Sequence, residues 1–114
     1  MEAYTKQVIS IIQKIPLGTV ATYGQIARLA GNPRAARQVA RILHSMSQKY
    51  DLPWHRVVNA KGEIVIGDPE TAIEQKYRLA EEGVEFFRQN KVKLVTFQWQ
   101  PGELRLSAES SDLD

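Results

Sequence analysis

Arg34, Arg37, Arg41 and His44 are spaced three, four and three residues apart, which on a helix places them along one face. Three guanidinium groups in a row suit a polyanion, because each is permanently charged and presents a fork of donors. Val39, Ile42, Leu43 and Met46 fall largely on the opposite side and are expected to face a core. Ala35 and Ala36 are small enough to let the backbone come close to a partner. The bland reading of the same stretch is an arginine-rich face that only solubilises the domain. A second cluster is Pro53-Trp54-His55-Arg56-Val57-Val58. His55 could take part in acid–base chemistry with a carboxylate, but Trp54 offers only an indole N–H, a donor without useful acidity near neutral pH. None of the 114 residues is a cysteine, so thiolate chemistry, disulfides and thiolate metal sites are all excluded. Metal binding would rest on His44 and His55 alone, which are distant in sequence, and no metal or other cofactor is expected.

These residues need a scaffold, and the chain suits a single domain with one hydrophobic core. The composition, 43% hydrophobic and 25% charged, is that of an ordinary globular protein. No apolar run approaches the roughly 20 residues of a membrane span, and no secretory signal pattern opens the chain. A cytoplasmic protein is therefore expected, associated with the nucleoid when it is bound to DNA. The net charge of +2 hides an asymmetry: residues 1–62 carry a net +7 and residues 63–114 a net −5. A basic half commonly faces phosphate, although solvated charges can also be shared unevenly with no partner involved.

Hydrophobic spacing predicts a helix over 3–15, carrying Val8, Ile11, Ile12 and Ile15 and stopped by Pro16-Leu17-Gly18. Thr22 is a capping residue for a short second helix, with Gly31 closing it. Asn32-Pro33 reads as the start of a third helix over 33–47, which would complete a helix-turn-helix. Val57-Val58 and Glu63-Ile64-Val65-Ile66, joined by a turn at 59–62, read as a small β-hairpin wing. A helix is expected over 69–82, with Ala72, Ile73, Lys76, Leu79 and Ala80 on a mixed face. Residues 84–87 and 92–97 are β-prone. The expected organisation is one DNA-binding domain over 1–106 and a short acidic tail over 107–114. The fold class is mainly α (α+β), a single winged helix-turn-helix domain.

Three separate segments carry a family resemblance. The run Gly18-Thr19-Val20-Ala21-Thr22-Tyr23-Gly24-Gln25-Ile26-Ala27, the run Ala30-Gly31-Asn32-Pro33-Arg34-Ala35-Ala36-Arg37-Gln38-Val39 and the Pro53 hexapeptide resemble the O6-alkylguanine-DNA alkyltransferases in order and spacing. That family's active-site motif is Pro-Cys-His-Arg-Val, so Trp54 stands where the nucleophilic cysteine would be. The resemblance spans about residues 5–88, the family's C-terminal domain, without the further N-terminal domain of many full-length members. It points to the alkyltransferase-like branch, which keeps recognition without the reaction.

The resemblance implies roles. The recognition helix lies in the minor groove, and Arg37 corresponds to the arginine that enters the base stack in place of the damaged nucleotide. Tyr23 corresponds to the tyrosine that presses on the 3′ phosphate, though it could instead be a buried hydroxyl that fixes the turn before its helix. Arg34, Ala35, Ala36 and Arg41 complete the expected DNA-binding set. Tyr23, Trp54, Val57 and Val58 are the expected lesion pocket, with Trp54 packing against the alkylated base or merely plugging the site. His55 and Glu82 correspond to a His–water–Glu relay that has no thiol to deprotonate here, and Arg56 is expected to tie the motif to nearby backbone carbonyls. Two departures stand out: Ile66-Gly67-Asp68-Pro69-Glu70 replaces a glycine-rich Tyr-Ser loop, and the usual hinge asparagine is not evident over 44–52.

The function implied is a non-catalytic sensor that flips O6-alkylguanine out of duplex DNA and passes the lesion to nucleotide excision repair proteins. The protein is expected to act as a monomer. Two alternatives remain open: a cysteine-independent dealkylase or glycosylase using His55 and Glu82, and a winged-helix transcriptional regulator.

Overall fold

Val8, Ile12, Ile26, Val39 and Leu43 bring three helices together, α1 (Ala3–Gln13), α2 (Tyr23–Leu29) and α3 (Ala36–Met46). The computed structural model describes residues 1–88 and 90–101. The domain boundary at 106 and the acidic tail over 107–114 lie outside the described residues. α1 stops at Gln13, earlier than expected, yet Ile15 remains buried beyond it.

α2 begins with a reciprocal cap. Thr22 Oγ1 accepts the Gln25 N–H at 3.0 Å, and Gln25 Oε1 accepts the Thr22 N–H at 3.2 Å, so two otherwise orphaned donors are satisfied. At the other end Gly31 takes φ +100°, and the Asn32 N–H reaches back to the Ala27 carbonyl at 2.9 Å. This is a Schellman turn, and it sets the angle between α2 and α3.

α3 starts at Ala36, three residues later than the sequence suggests. Asn32 does not cap it: its Oδ1 accepts the Arg34 N–H at 3.2 Å, and the Ala35 N–H bonds the Asn32 carbonyl at 3.1 Å. A local side-chain turn has displaced the first helical turn, helped by the bias of a residue before proline against helical geometry. Arg34 is therefore on the turn leading into the helix.

The expected wing strands are arranged differently. β1 (Ala21–Thr22) and β2 (Val57–Val58) form a parallel pair, with Ala21 opposite Val57 and Thr22 opposite Val58. Val57 and Val58 are 2% and 1% exposed, one in each of two core clusters, so β2 is a buried strand and not one arm of a wing. The turn at 59–62 does form, with the Gly62 N–H bonding the Asn59 carbonyl at 2.9 Å. Beyond it Glu63 bridges Lys91 instead of pairing back on Val57-Val58. The hairpin that the fold carries is β3 (Phe86–Arg88) with β4 (Lys91–Val92). Residues 92–97 leave the sheet early, because Leu94–Phe97 turns into a short helix, α5. Its end is pinned by the Val20 N–H on the Phe97 carbonyl at 2.9 Å and the Trp99 N–H on the Val20 carbonyl at 2.8 Å. Tertiary pairing has overridden β propensity here.

α4 (Pro69–Glu81) begins with Asp68 as its cap and proline at its first position. Its buried positions are Gln75 and Leu79, whereas Ile73 and Tyr77 point to solvent. Leu79 joins Val20, Val58, Val84 and Val92 in the second core cluster.

Gly62 links the two halves of the scaffold. It has φ +81°, and a Cβ there would meet both Leu94 Cγ and the Val92 carbonyl oxygen at 2.9 Å. Gly62→Ala is expected to destabilise the fold by about 2 kcal/mol or more, from left-handed strain plus overlap with backbone. Urea unfolding of the variant measures it.

Candidate nucleic-acid interface

Two short elements carry Tyr23 and Trp54. Tyr23 is the first residue of α2, directly after β1, and Trp54 opens the 3₁₀ turn Trp54–Arg56 that precedes β2. That turn is supported from below by Gln75, which is 1% exposed and whose Nε2 donates to the His55 carbonyl at 3.2 Å and the Val57 carbonyl at 3.0 Å. Asp51, with φ +51°, turns the chain out of α3 toward Pro53. Aspartate tolerates that left-handed geometry better than most residues.

Arg37, Arg41 and His44 lie exposed along one face of α3, with Arg34 exposed on the turn before it. Among the described residues none of these arginines forms an ion pair. Val39, Ile42 and Leu43 are buried on the opposite side. Ala36 is half-buried at the start of the helix, whereas the Ala35 side chain is turned into the first core cluster and away from the surface.

Beside this face is a cavity of about 350 Å³. Tyr23, Leu43, Trp54 and Ile66 give it apolar walls, and His44, Ser47, Asp68 and Thr71 add polar groups. A volume of that size falls in the range of small-molecule pockets and fits a flipped base. Val57 and Val58, assigned to this pocket from sequence, do not line it; both are in the core. Ile66 and Asp68 come from the segment that departs from the family loop, so the departure has supplied a different wall. Trp54 is half-buried: the Arg78 guanidinium is 5.6 Å from the centre of its ring, and the His55 ring meets it edge-on at 6.2 Å. Burial pushes the Tyr23 phenol up from its ordinary range, so it stays protonated and can donate.

Glu82 is a hub behind this wall. Its carboxylate accepts from His55 Nε2 at 2.7 Å, from Arg56 Nη2 at 2.8 Å and Nε at 3.0 Å, and from the Gly18 N–H at 2.9 Å. Arg56 also donates to the Ile15 carbonyl at 2.9 Å, so this arginine holds a carboxylate as well as a backbone carbonyl. Burial alone would raise the Glu82 carboxyl, but the donors from Arg56, Gly18 and His55 outweigh it and hold the group at about 2. Burial pushes the His55 imidazole down, against an upward pull from Glu82. His55 contacts Glu82 directly, with no space between them for a bridging group.

The hub and the cavity are separate places. His55 and Glu82 open with Leu17, Arg78 and Glu81 onto another depression, and neither lines the cavity beside Trp54. A carboxylate held at about 2 is also a poor base near neutral pH. Geometry and protonation thus both oppose lesion chemistry by this pair. Gln75 escaped sequence reading altogether, since a lone glutamine on a helix gives no sign of burial. Ser47 and Thr71 escaped it too, because nothing local marks them as pocket residues.

The chain matches the family model described as 6-O-methylguanine DNA methyltransferase, DNA binding domain, over residues 3–84. It belongs to that family of alkyltransferase DNA-binding domains. A DNA base-flipping protein of Vibrio parahaemolyticus is 38% identical over 101 residues, covering 89% of this chain and 100% of the relative. Alkyltransferase-like protein 1 of Schizosaccharomyces pombe is 41% identical over 105 residues, covering 88% of this chain and 96% of the relative. The crystal structure of S. pombe Atl1 in complex with damaged DNA containing O6-carboxymethylguanine matches with a TM-score of 0.79 at 38% identity, covering 89% of this chain and 98% of that one. The winged helix-turn-helix class expected for an alkyltransferase C-terminal-type domain agrees with this likeness. In this chain the family's nucleophilic cysteine is missing, and no cysteine stands elsewhere to replace it.

Proposed function

We propose that the protein is a non-catalytic sensor that binds O6-alkylguanine in duplex DNA with the damaged base turned out of the helix. The observation that carries this reading is the cavity lined by Tyr23 and Trp54 next to the exposed Arg37–Arg41–His44 face, in a chain with no cysteine. Arg34, Arg37 and Arg41 hold the phosphates, Arg37 fills the vacated space in the stack, and Tyr23 presses the backbone at the lesion. The backbone of Ala35 and Ala36, at the start of α3, allows the close approach. His55 and Glu82 hold the scaffold and do no chemistry. Extrusion is least costly where pairing is already weak, as it is for an O6-alkylated guanine, and apolar packing against Trp54 adds to the selectivity. The likeness to a base-flipping protein and to a structure holding damaged DNA supports this reading.

The protein acts as a monomer on DNA in the cytoplasm, as a single domain that ends near residue 106 before its acidic tail. Because it leaves the alkyl group in place, the bound lesion must be passed to another system, and nucleotide excision repair proteins are the proposed recipients. The basic first half grips the duplex, and the acidic second half offers a docking surface for such a partner.

Flipping is tested by permanganate oxidation of a thymine placed opposite O6-methylguanine. Binding should sharply raise the reactivity of that thymine, and unchanged reactivity with a saturated complex would refute flipping. Trp54→Ala should lower affinity for an O6-benzylguanine duplex by about tenfold or more, and lower that for O6-methylguanine less. Burial is worth about 0.8 kcal/mol per methylene, so the larger adduct loses more when the wall is removed. Fluorescence anisotropy on the two duplexes measures the ratio; an equal loss on both would mean that Trp54 does not touch the adduct.

A further inference from the structure

The cavity beside Trp54 is unevenly charged. Among its described lining residues Asp68 is the one carboxylate, and neither lysine nor arginine lines it; His44 is the other titratable side chain apart from the Tyr23 phenol. Asp68 is itself exposed, and hydrogen bonds from Thr71 hold its carboxyl below the usual carboxylate range. Thr71 Oγ1 and N–H both reach Asp68 Oδ2, at 2.5 and 3.0 Å. Among the described residues Oδ1 accepts no hydrogen bond, so one acceptor and a negative charge remain available at the cavity wall. Asp68 also caps α4, whose N-terminal end would otherwise present a positive dipole to the same space.

We infer that Asp68 sets the adduct range of the pocket by charge: it disfavours O6 substituents that carry a carboxylate and favours neutral substituents that donate a hydrogen bond. This rests on the lesion-binding reading above and adds a specificity residue to it. A like charge a few ångströms away in a partly solvated site costs on the order of tenfold in affinity at physiological salt. A neutral amide of the same shape avoids that cost and donates to Oδ1.

The experiment compares the full chain on four matched duplexes bearing guanine, O6-methylguanine, O6-carboxymethylguanine and O6-carbamoylmethylguanine. The last two are nearly the same size and differ in charge. The wild type should bind the carbamoylmethyl duplex about tenfold more tightly than the carboxymethyl duplex. Asp68→Asn keeps a capping side chain, so the fold should hold, and the ratio should fall to about threefold or less. Asp68→Ser, a second capping variant, should do the same. Removing a negative charge raises affinity for all DNA, but the ratio between two lesions cancels that effect. A ratio near one in the wild type, or a ratio unchanged in both variants, overturns the inference while leaving lesion binding intact. Loss of preference for O6-methylguanine over guanine in the wild type would instead overturn the reading on which it rests.

Discussion

Arg37→Ala is expected to weaken binding to a duplex with one O6-methylguanine by about 30- to 100-fold, a loss of roughly 2–3 kcal/mol. Arg37 is near the start of α3, exposed and free of ion pairs among the described residues. Among the described residues none competes for its guanidinium, so its charge and planar face are available there to the duplex. If it occupies the space left by the flipped base, its removal must cost more on damaged DNA than on undamaged DNA. Arg34→Ala and Arg41→Ala test the contrast. A side chain that only neutralises a phosphate weakens both duplexes alike and lowers the salt slope by about one. Equal losses in all three variants, with lesion preference unchanged, would show that Arg37 is one more phosphate contact.

Glu82→Gln should cost about 3 kcal/mol of stability, since it leaves the poorly solvated Arg56 guanidinium without its anion. In a domain of this size that corresponds to a Tm drop of roughly 12–24 °C. The Glu82 and Arg56 side chains are 12% and 16% exposed, so solvent screens them weakly. The carboxylate joins Gly18 before β1, the 3₁₀ turn and the end of α4, and all three lose an anchor together. Glu85 is a useful control: its pair with Lys93 is largely exposed, and Glu85→Gln should shift Tm very little. The pH dependence has a definite sign. The Glu82 carboxyl falls from 4.5 to about 2 on folding, so its contribution is complete above about pH 4.5 and is lost as pH falls toward 2. His55 is also lowered on folding and so acts in the same direction, starting below its ordinary value of 6.5. Stability of the wild type should therefore decline through that acid range, and Glu82→Gln should flatten the part between about pH 4.5 and 2. Urea midpoints across pH measure this, and a parallel decline in the variant would contradict the assignment.

Much of the scaffold was legible because its signals are local. Thr22 caps α2, Gly31 takes the positive φ that the end of α2 requires, and Pro69 is the first residue of α4. The alternation of arginines and aliphatics on α3 likewise separated an exposed face from a buried one. What was misread depends on partners far away in the chain. Val57-Val58 looked like one arm of a hairpin, but its partner is Ala21-Thr22, and that pairing buries both valines. The stretch 92–97 has β-type residues, yet only Val92 pairs as a strand, and Leu94–Phe97 forms a helix whose end is held by bonds to Val20. Asn32-Pro33 could open a helix or make a side-chain turn, and spacing alone does not choose between them. The pocket was half legible: Tyr23 and Trp54 came from motifs, whereas Ser47 at the end of α3 and Asp68 and Thr71 at the start of α4 meet there only in the folded chain.

The most direct test is binding at stated salt to two identical duplexes, one with a single O6-methylguanine, followed by recovery and analysis of the DNA. At least a tenfold preference for the lesion is expected, with the alkyl group still on the recovered guanine. Equal affinity for the two duplexes would leave a winged-helix DNA binder without damage recognition, and recovery of dealkylated or abasic DNA would reveal an enzyme; either result contradicts a non-catalytic sensor.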